Sequence, residues 1–391
     1  MKKAWVLAVT MGYGHQRPAF ALRALAQGGK EVMANNYPRI PKLDYILWQE
    51  TRKVYEFISR FKNVPLLGDL VFSFMDKAQE IKPFYKKERV VERPGFQLKV
   101  IWELMERKHW GRHLISKLSA EPLPIISTFP IPAFFAEYWE YQGLVYLLVT
   151  DSDANRAWVP LFPKESKIRY LAPTRRVAER LRQYGVPASR ITYTGFPLPL
   201  ELTDKDGFLK TKEDLRRRLQ RLDPNRIYIN RYADVVRRYL GRVPEISKHR
   251  GAPVLTFAVG GAGAQQDLGR SIISNLAPIL REGKVRLAML AATHKDASLV
   301  FEREAREHRL SAEMVQVLYF TDAEEYFEKF PAIMRQTDIL WTKPSELSFY
   351  GALGIPLLLS PPVGSQEDQN QEWLSRMGAG VEQLDVASVT D

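Results

Sequence analysis

The chain has 391 residues, 45% of them hydrophobic, and its 57 Lys/Arg against 45 Asp/Glu give a net charge of +12. Such a length accommodates two domains with a full core each and exceeds one ordinary domain. The lack of cysteine excludes disulfides and thiolate metal sites, and no apolar run of about eighteen residues is present to span a bilayer.

The first predicted element is a strand at Ala4–Thr10, AWVLAVT. Two lysines ahead of it make the opening resemble a signal peptide. The apolar run is short, however, lacks a small-x-small cleavage site and ends in a glycine loop, so it reads as a buried strand. The strand empties into Gly12-Tyr13-Gly14-His15, and a helical pattern follows in PAFALRALA. Such a loop turns the backbone sharply and aims unpaired helix N–H groups at an anion. A nicotinamide site would add a third glycine and, about 20 residues on, an acid for the ribose. Here the corresponding residues are Arg17 and then Ala34 and Asn35, which disfavours a dehydrogenase. The P-loop, Gly-x-Ser-x-Gly and clustered-histidine patterns are absent as well.

An extra segment at about 36–120 follows, in which Leu47, Val54, Ile58 and Phe61 fall on one helical stripe. Within it, residues 51–113 hold 14 Lys/Arg and 8 Asp/Glu, interleaved with Tyr55, Phe57, Phe61, Phe72, Phe74, Trp102 and Trp110, and with Trp48 just ahead. Strands are then predicted at Pro124–Thr128, Leu144–Thr150, Ile168–Ala172 and Arg190–Thr194, with helices at IPAFFAEYWEY and TRRVAERLRQYG between them. Near-continuous apolar strands separated by helices indicate a parallel sheet covered on both faces.

A second basic stretch, 205–250, has 14 Lys/Arg and 6 Asp/Glu, concentrated in LRRRLQR and VVRRYLGR. Three readings stand for the two stretches: solvated helical faces, a basic aromatic surface on anionic lipid headgroups, or a single-stranded nucleic-acid surface. The strand–helix pattern then restarts with PVLTFAVG, a helix from about Gln266, VRLAMLAA, another helix, MVQVLYF, DILW and IPLLLS. The expected fold is α/β, with two Rossmann-like doubly wound domains and helical insertions. The expected parts are an N-terminal domain at 1–197, a basic helical linker or insertion at 198–250 and a C-terminal domain at 251–391.

The second domain opens as the first does, with a strand running into Gly260-Gly261-Ala262-Gly263-Ala264-Gln265. His294 follows another strand of this domain, where it stands to cap the next helix. Near the C-terminus, Ser345 is a good N-cap, Glu346–Leu353 suits a short helix, and Gly354 with Pro356 ends it. Glu346 thus sits in a first helical turn just beyond a parallel strand, where it either complements the helix dipole or accepts ribose hydroxyls. Gln366, Glu367 and Asn370 bunch after the next strand, a pattern suited to polyol recognition.

These motifs resemble those of the GT-B glycosyltransferases, specifically the group with monogalactosyldiacylglycerol synthase, processive diacylglycerol glycosyltransferases and the peptidoglycan N-acetylglucosaminyltransferase. The Gly-His loop at Gly12–His15, VTDSDANRAWVP (Val149–Pro160), Ala172–Pro197, AVGGAGA (Ala258–Ala264) and Gln366-Glu367-x-x-Asn370 carry the resemblance. It implies two domains facing a cleft and transfer of a hexose, with inversion, from a UDP-sugar to an acceptor hydroxyl, with no cofactor and no metal. It also implies that Gly260, Gly261, Gly263, Ala264 and Gln265 hold the diphosphate, Glu346 the ribose, His294 the base, and Gln366, Glu367 and Asn370 the sugar. His15 and Asp151, expected in loops, are the candidate proton acceptors, and Gly12, Gly14 and Arg17 form the acceptor-side loop.

The expected partners are a UDP-sugar, a lipid acceptor and an anionic membrane surface on the cytoplasmic face, with no nucleic acid. Three departures are visible: Phe349 stands where relatives carry an acid, the histidine after Val-Thr-Asp is missing, and the chain stops at Asp391, as a fragment or shortened variant would. A nucleotide-sugar epimerase or hydrolase of the same fold and a non-catalytic membrane or nucleic-acid binding protein are the rival readings.

Overall fold

The computed structural model describes residues 2–61, 81, 94–204, 208–245, 250–260, 265–362 and 365–388, with the helix path alone for 52–61. The chain divides into two compact units, Met1–Pro197 with Pro362–Asn370, and Leu198–Pro361 with Gln371–Asp391.

The first unit holds a six-stranded parallel sheet ordered β2-β1-β3-β4-β5-β6. Its strands are β1 (Trp5–Ala8), β2 (Val32–Met33), β3 (Ile125–Ser127), β4 (Val145–Leu148), β5 (Arg169–Ala172) and β6 (Ile191–Tyr193). Its helices are α1 (Tyr13–Ala21), α2 (Lys42–Phe61), α3 (Phe96–Lys108), α4 (Arg112–Ser119), α5 (Pro130–Tyr138) and α6 (Arg175–Gln183). The apolar strand runs are buried on both faces, as a sheet covered by helices requires. Local signals set the helix starts: Pro130 occupies the first turn of α5, and Thr174 caps α6 through the Val177 N–H.

The second unit holds a parallel sheet ordered β12-β11-β10-β7-β8-β9. These strands are β7 (Val254–Ala258), β8 (Arg286–Ala292), β9 (Val315–Tyr319), β10 (Ile339–Thr342), β11 (Leu357–Leu359) and β12 (Gly380–Glu382). Numbered from its own first strand, the order is 3-2-1-4-5-6, that of the dinucleotide-binding Rossmann sheet. Its helices are α7 (Leu200–Thr203), α8 (Leu209–Leu222), α9 (Ile227–Arg231), α10 (Ala233–Leu240), α11 (Gln266–Arg281), α12 (Lys295–Glu307) and α13 (Ala323–Gln336). Helix α14 (Ser365–Met377) runs across the division. The expectation of two Rossmann-like doubly wound units with helical insertions holds. Strands β2 and β12, absent from the sequence reading, span only two and three residues, too short to show a period.

The division differs from the expected boundaries in two places. Residues 198–250, read as a helical linker or insertion, group with the second unit, into which α8 is bonded. Arg218 donates from Nη2 and Nε to the Thr337 carbonyl at 2.9 and 3.2 Å and from Nη1 to the Leu353 and Gly354 carbonyls at 3.2 Å. Arg221 pairs with Asp338 at 3.1 Å, and Arg217 bonds the Arg335 carbonyl. Pro362–Asn370, expected in the C-terminal domain, groups with the first unit through the Asn370 and Gln369 bonds given below.

The aromatic residues of the insertion also differ from a membrane-facing set. Trp48 and Trp110 are buried, 5.0 Å apart between ring centroids, and both pack edge-on against Phe135. Trp102 and Leu47 lean on the same core. The side chains of Val54, Tyr55, Phe57, Ile58 and Phe61, and residues Phe72 and Phe74, lie outside the described residues. Among the described residues no helix is long and apolar enough to cross a membrane.

Candidate functional site

In a doubly wound sheet, loops diverge at the point where the strand order reverses, leaving a crevice at the carboxyl ends of the strands. In the first unit this point lies between β1 and β3. After β1, Asn35 accepts the Thr10 N–H at 3.0 Å and donates to its hydroxyl at 2.7 Å, clamping the turn. Gly12, at φ +92°, then supplies a conformation that L side chains rarely adopt and begins α1. His15 was expected in a loop; the helix starts two residues earlier, so Gly14 and His15 occupy its first turn. Arg17 is buried in the same helix.

The His15 ring is held from across the crevice. Its Nδ1 lies 2.8 Å from the Thr128 carbonyl, which can only accept, so Nδ1 carries a proton, and in the neutral form of the ring the lone pair sits on Nε2. The Thr150 hydroxyl stands 3.2 Å from the same nitrogen. Phe129 packs edge-on at 4.7 Å, and the Trp158 ring centre is 6.1 Å away. The Thr128 hydroxyl returns a bond to the His15 carbonyl at 2.7 Å. The imidazole is therefore fixed in both orientation and tautomer.

Asp151 is half-buried in the bend after β4, between two anchored neighbours. Thr150 meets His15, and the Ser152 N–H donates to the Asn370 carboxamide oxygen at 2.9 Å while the Ser152 carbonyl accepts from Thr174 at 2.7 Å. Asp153, buried, takes ion pairs from Arg176 at 2.7 Å and Arg180 at 2.9 Å. Arg176 also bonds Gln369 at 2.5 Å. Asn370 is thus a bracket for the Asp151 loop, a role the motif did not reveal because its partner is 218 residues away in sequence. Gln366 and Glu367 lie half-buried in the first turn of α14.

In the second unit the order reverses between β7 and β10. Gly260 follows β7, and a Cβ placed on it would stand 2.5 Å from Cε of Lys343, which follows β10. The lysine side chain thus lies across the glycine. Gly261, Gly263 and Ala264 lie outside the described residues. Gln265 precedes the sixteen-residue helix α11 and donates to Ser360 at 2.7 Å, tying the loop to the end of β11. Gly269 lets α11 sit close to the sheet, since a Cβ there would meet Phe301 at 2.4 Å and Phe257 at 3.0 Å. That is the packing task of the third glycine in a dinucleotide loop, displaced along the helix from where the motif puts it.

Glu346 is buried in the first turn of a 3-10 helix, Glu346–Leu353, as the sequence placed it, and Gly354 closes that helix in the left-handed region at φ +66°. Ser345 precedes it without the expected capping bond from its side chain. His294 stands at the N-cap of α12 and makes no side-chain cap either, so that alternative falls away. The strand before it ends at Ala292, at φ +52°, beside a register irregularity.

Lys343, the residue the sequence reading passed over, brings a cation to Gly260 at the end of β7. The signal for it was a lysine directly after DILW; strand order decides that it meets Gly260.

A family model described as a domain of unknown function (DUF6938) matches residues 297–389. Among curated relatives, the processive diacylglycerol beta-glucosyltransferase of Bacillus thuringiensis (strain Al Hakam) is 25% identical over 288 residues, 70% of this chain and 60% of that protein. That of Bacillus cereus (strain B4264) is 27% identical over 283 residues, with the same coverage. The chain thus spans about 60% of the length of these relatives. Solved structures that align include Staphylococcus aureus MnaA with UDP, at 12% identity and TM-score 0.46 over 100% of this chain and 87% of that one. Acinetobacter baumannii MurG aligns at 12% identity and TM-score 0.43 over 98% and 86%. The chain is similar to the diacylglycerol glycosyltransferases, the resemblance that its motifs carry.

Proposed function

We propose that the chain is a UDP-sugar-dependent glycosyltransferase that moves a hexose, with inversion, to a hydroxyl of a lipid acceptor at the cytoplasmic membrane face. The observation that carries this reading is the His15 ring, whose protonated Nδ1 is committed to the Thr128 carbonyl, leaving Nε2 as the basic nitrogen at the switch point of the first sheet. The names of the relatives support the acceptor class.

In this reading Nε2 of His15 takes the acceptor hydroxyl proton as the oxygen attacks the sugar C1, with Asp151 as the alternative acceptor. The C1–O bond to the diphosphate breaks, and its electron pair leaves with UDP. A single displacement of this kind inverts the anomeric centre. The departing charge is met by the N-terminus of α11 and by Lys343, so the step uses neither a metal nor a cofactor. Glu346 accepts the ribose hydroxyls, His294 lies beside the uracil, and Gln366 and Glu367 face the sugar. Asn370 serves by holding Ser152 and thereby the Asp151 loop.

The test is incubation with UDP-glucose, UDP-galactose and UDP-N-acetylglucosamine in turn, with diacylglycerol dispersed in vesicles, followed by separation of labelled lipid. One sugar should appear on the lipid with the wild type and disappear with His15→Ala. UDP binding without transfer of any of these sugars would overturn the reading.

A further inference from the structure

The second basic stretch divides by direction. Helix α8 turns its arginines inward, onto carbonyls and acids of its own unit. Helices α9 and α10 do the opposite. They bury Ile229, Val236 and Leu240 and turn outward Ile227, Tyr228, Tyr232, Val235 and Tyr239, which range from 41% exposed at Tyr232 to 71% at Ile227. Val235 and Tyr239 stand four apart on one side of α10, and Tyr228 of α9 meets Tyr232 at the junction between the two helices. The Tyr228 and Tyr232 rings lie 4.9 Å apart. The Arg231 guanidinium sits 5.8 Å from the Tyr232 ring centre and that of Arg238 5.9 Å from Tyr239. Residues 226–242 hold five arginines and one acid, Asp234, a net of +4.

We propose that this outer face of α9 and α10 docks on the surface of an anionic lipid bilayer. A merely solvated surface has no use for five exposed apolar or aromatic side chains between residues 227 and 239. Tyrosines with arginines beside them match the headgroup layer, where the ring sits at the apolar boundary and the cation meets lipid phosphate. The aliphatic Ile227 and Val235 favour a bilayer over a nucleic-acid strand, whose bases stack on flat rings. The inference deepens the lipid-acceptor reading and takes its purpose from it, but is tested without donor or acceptor.

The full chain, without nucleotide, is sedimented with sucrose-loaded vesicles of phosphatidylcholine alone or with phosphatidylglycerol added. The expected result is binding to the phosphatidylglycerol vesicles that falls as salt rises, with little binding to phosphatidylcholine alone. The double variant Arg231→Glu/Arg238→Glu and the triple variant Tyr228→Ser/Tyr232→Ser/Tyr239→Ser should each lose tenfold or more of that binding, with melting temperatures at the wild-type value. No wild-type binding to anionic vesicles overturns the proposal, as does binding that both folded variants retain. Binding of a labelled single-stranded oligonucleotide that the variants lose, without vesicle binding, overturns it in favour of a nucleic-acid face. Transfer of sugar to a short-chain, water-soluble diacylglycerol separates the two readings. Transfer without vesicle docking removes this surface and leaves the acceptor class standing, and docking without transfer does the reverse.

Discussion

Each half of the proposed chemistry comes down to one side chain at a switch point, His15 bonded to the Thr128 carbonyl and Lys343 lying over Gly260. If His15 is the base, His15→Ala should lower turnover by roughly 10²–10⁴-fold, the usual worth of a positioned general base, and leave UDP affinity within twofold. Full turnover in this variant would move the base to Asp151. Lys343 has a different signature. Lys343→Met should weaken UDP about tenfold or more, as expected for loss of a charge-assisted contact, yet leave uridine binding unchanged. Equal losses for UDP and uridine in a calorimetric titration would show that the lysine shapes the loop and does not meet phosphate. His15 was legible because Gly-x-Gly-His follows an apolar strand. Lys343 was not, because its place against Gly260 depends on β10 lying beside β7, which no local pattern encodes.

Elements reveal where charge density misleads. LRRRLQR reads as a solvated or membrane face, yet Arg218 is buried, and burial pulls its guanidinium down to about 10 against the opposing pull of Asp338 and Asp214. That value still leaves it charged at neutral pH, and three carbonyls at the ends of α13 and of the Glu346–Leu353 helix accept its bonds. Arg218→Ala leaves those acceptors buried and should cost about 3 kcal/mol or more in urea denaturation. Arg238→Ala, on the exposed face of α10, should stay within about 0.5 kcal/mol. Similar costs for the two would contradict the inward assignment of α8.

Near the start of α2, Asp44 is buried and accepts the Gly111 N–H at 3.4 Å. Burial pushes its carboxyl up, while the Gly111 bond and His113 pull the other way without cancelling it. A carboxyl raised in the folded state contributes stability below its unfolded pKa and loses that contribution as pH rises through the folded value. Asp44→Asn should therefore melt higher than wild type at pH 7, with the gap closing as pH falls toward 4. A gap that ignores pH would assign the effect to packing. The sequence could not separate such inward charges from outward ones, since a helix buries any face that a neighbour covers.

At the scale of the whole molecule, the two runs of the strand–helix pattern were legible because parallel strands buried on both faces are apolar throughout, whatever their order. The order itself, and with it the two crevices, is set by contacts between strands remote in sequence. The second sheet has the order of a dinucleotide-binding unit, and Gly260, Lys343, Gln265 and the start of α11 gather where that order reverses. A nucleotide that binds there stabilises the folded second unit and does nothing for the unfolded chain. At 100 times its dissociation constant UDP should add about 2.7 kcal/mol, worth roughly 5–10 °C for a unit of this size. In calorimetry the transition that carries the second unit should rise with UDP and stay in place with ADP or GDP. In Glu346→Ala, whose fold should persist because the carboxylate stands at the end of a strand and not in the core cluster, the same rise should need far more UDP. An equal response to all three nucleotides would mean that the crevice reads phosphate alone, held by the helix end and Lys343, and would remove Glu346 and His294 from the nucleoside. No response to any of them would leave the second unit a Rossmann sheet without a donor site, and the transferase reading would fall with it.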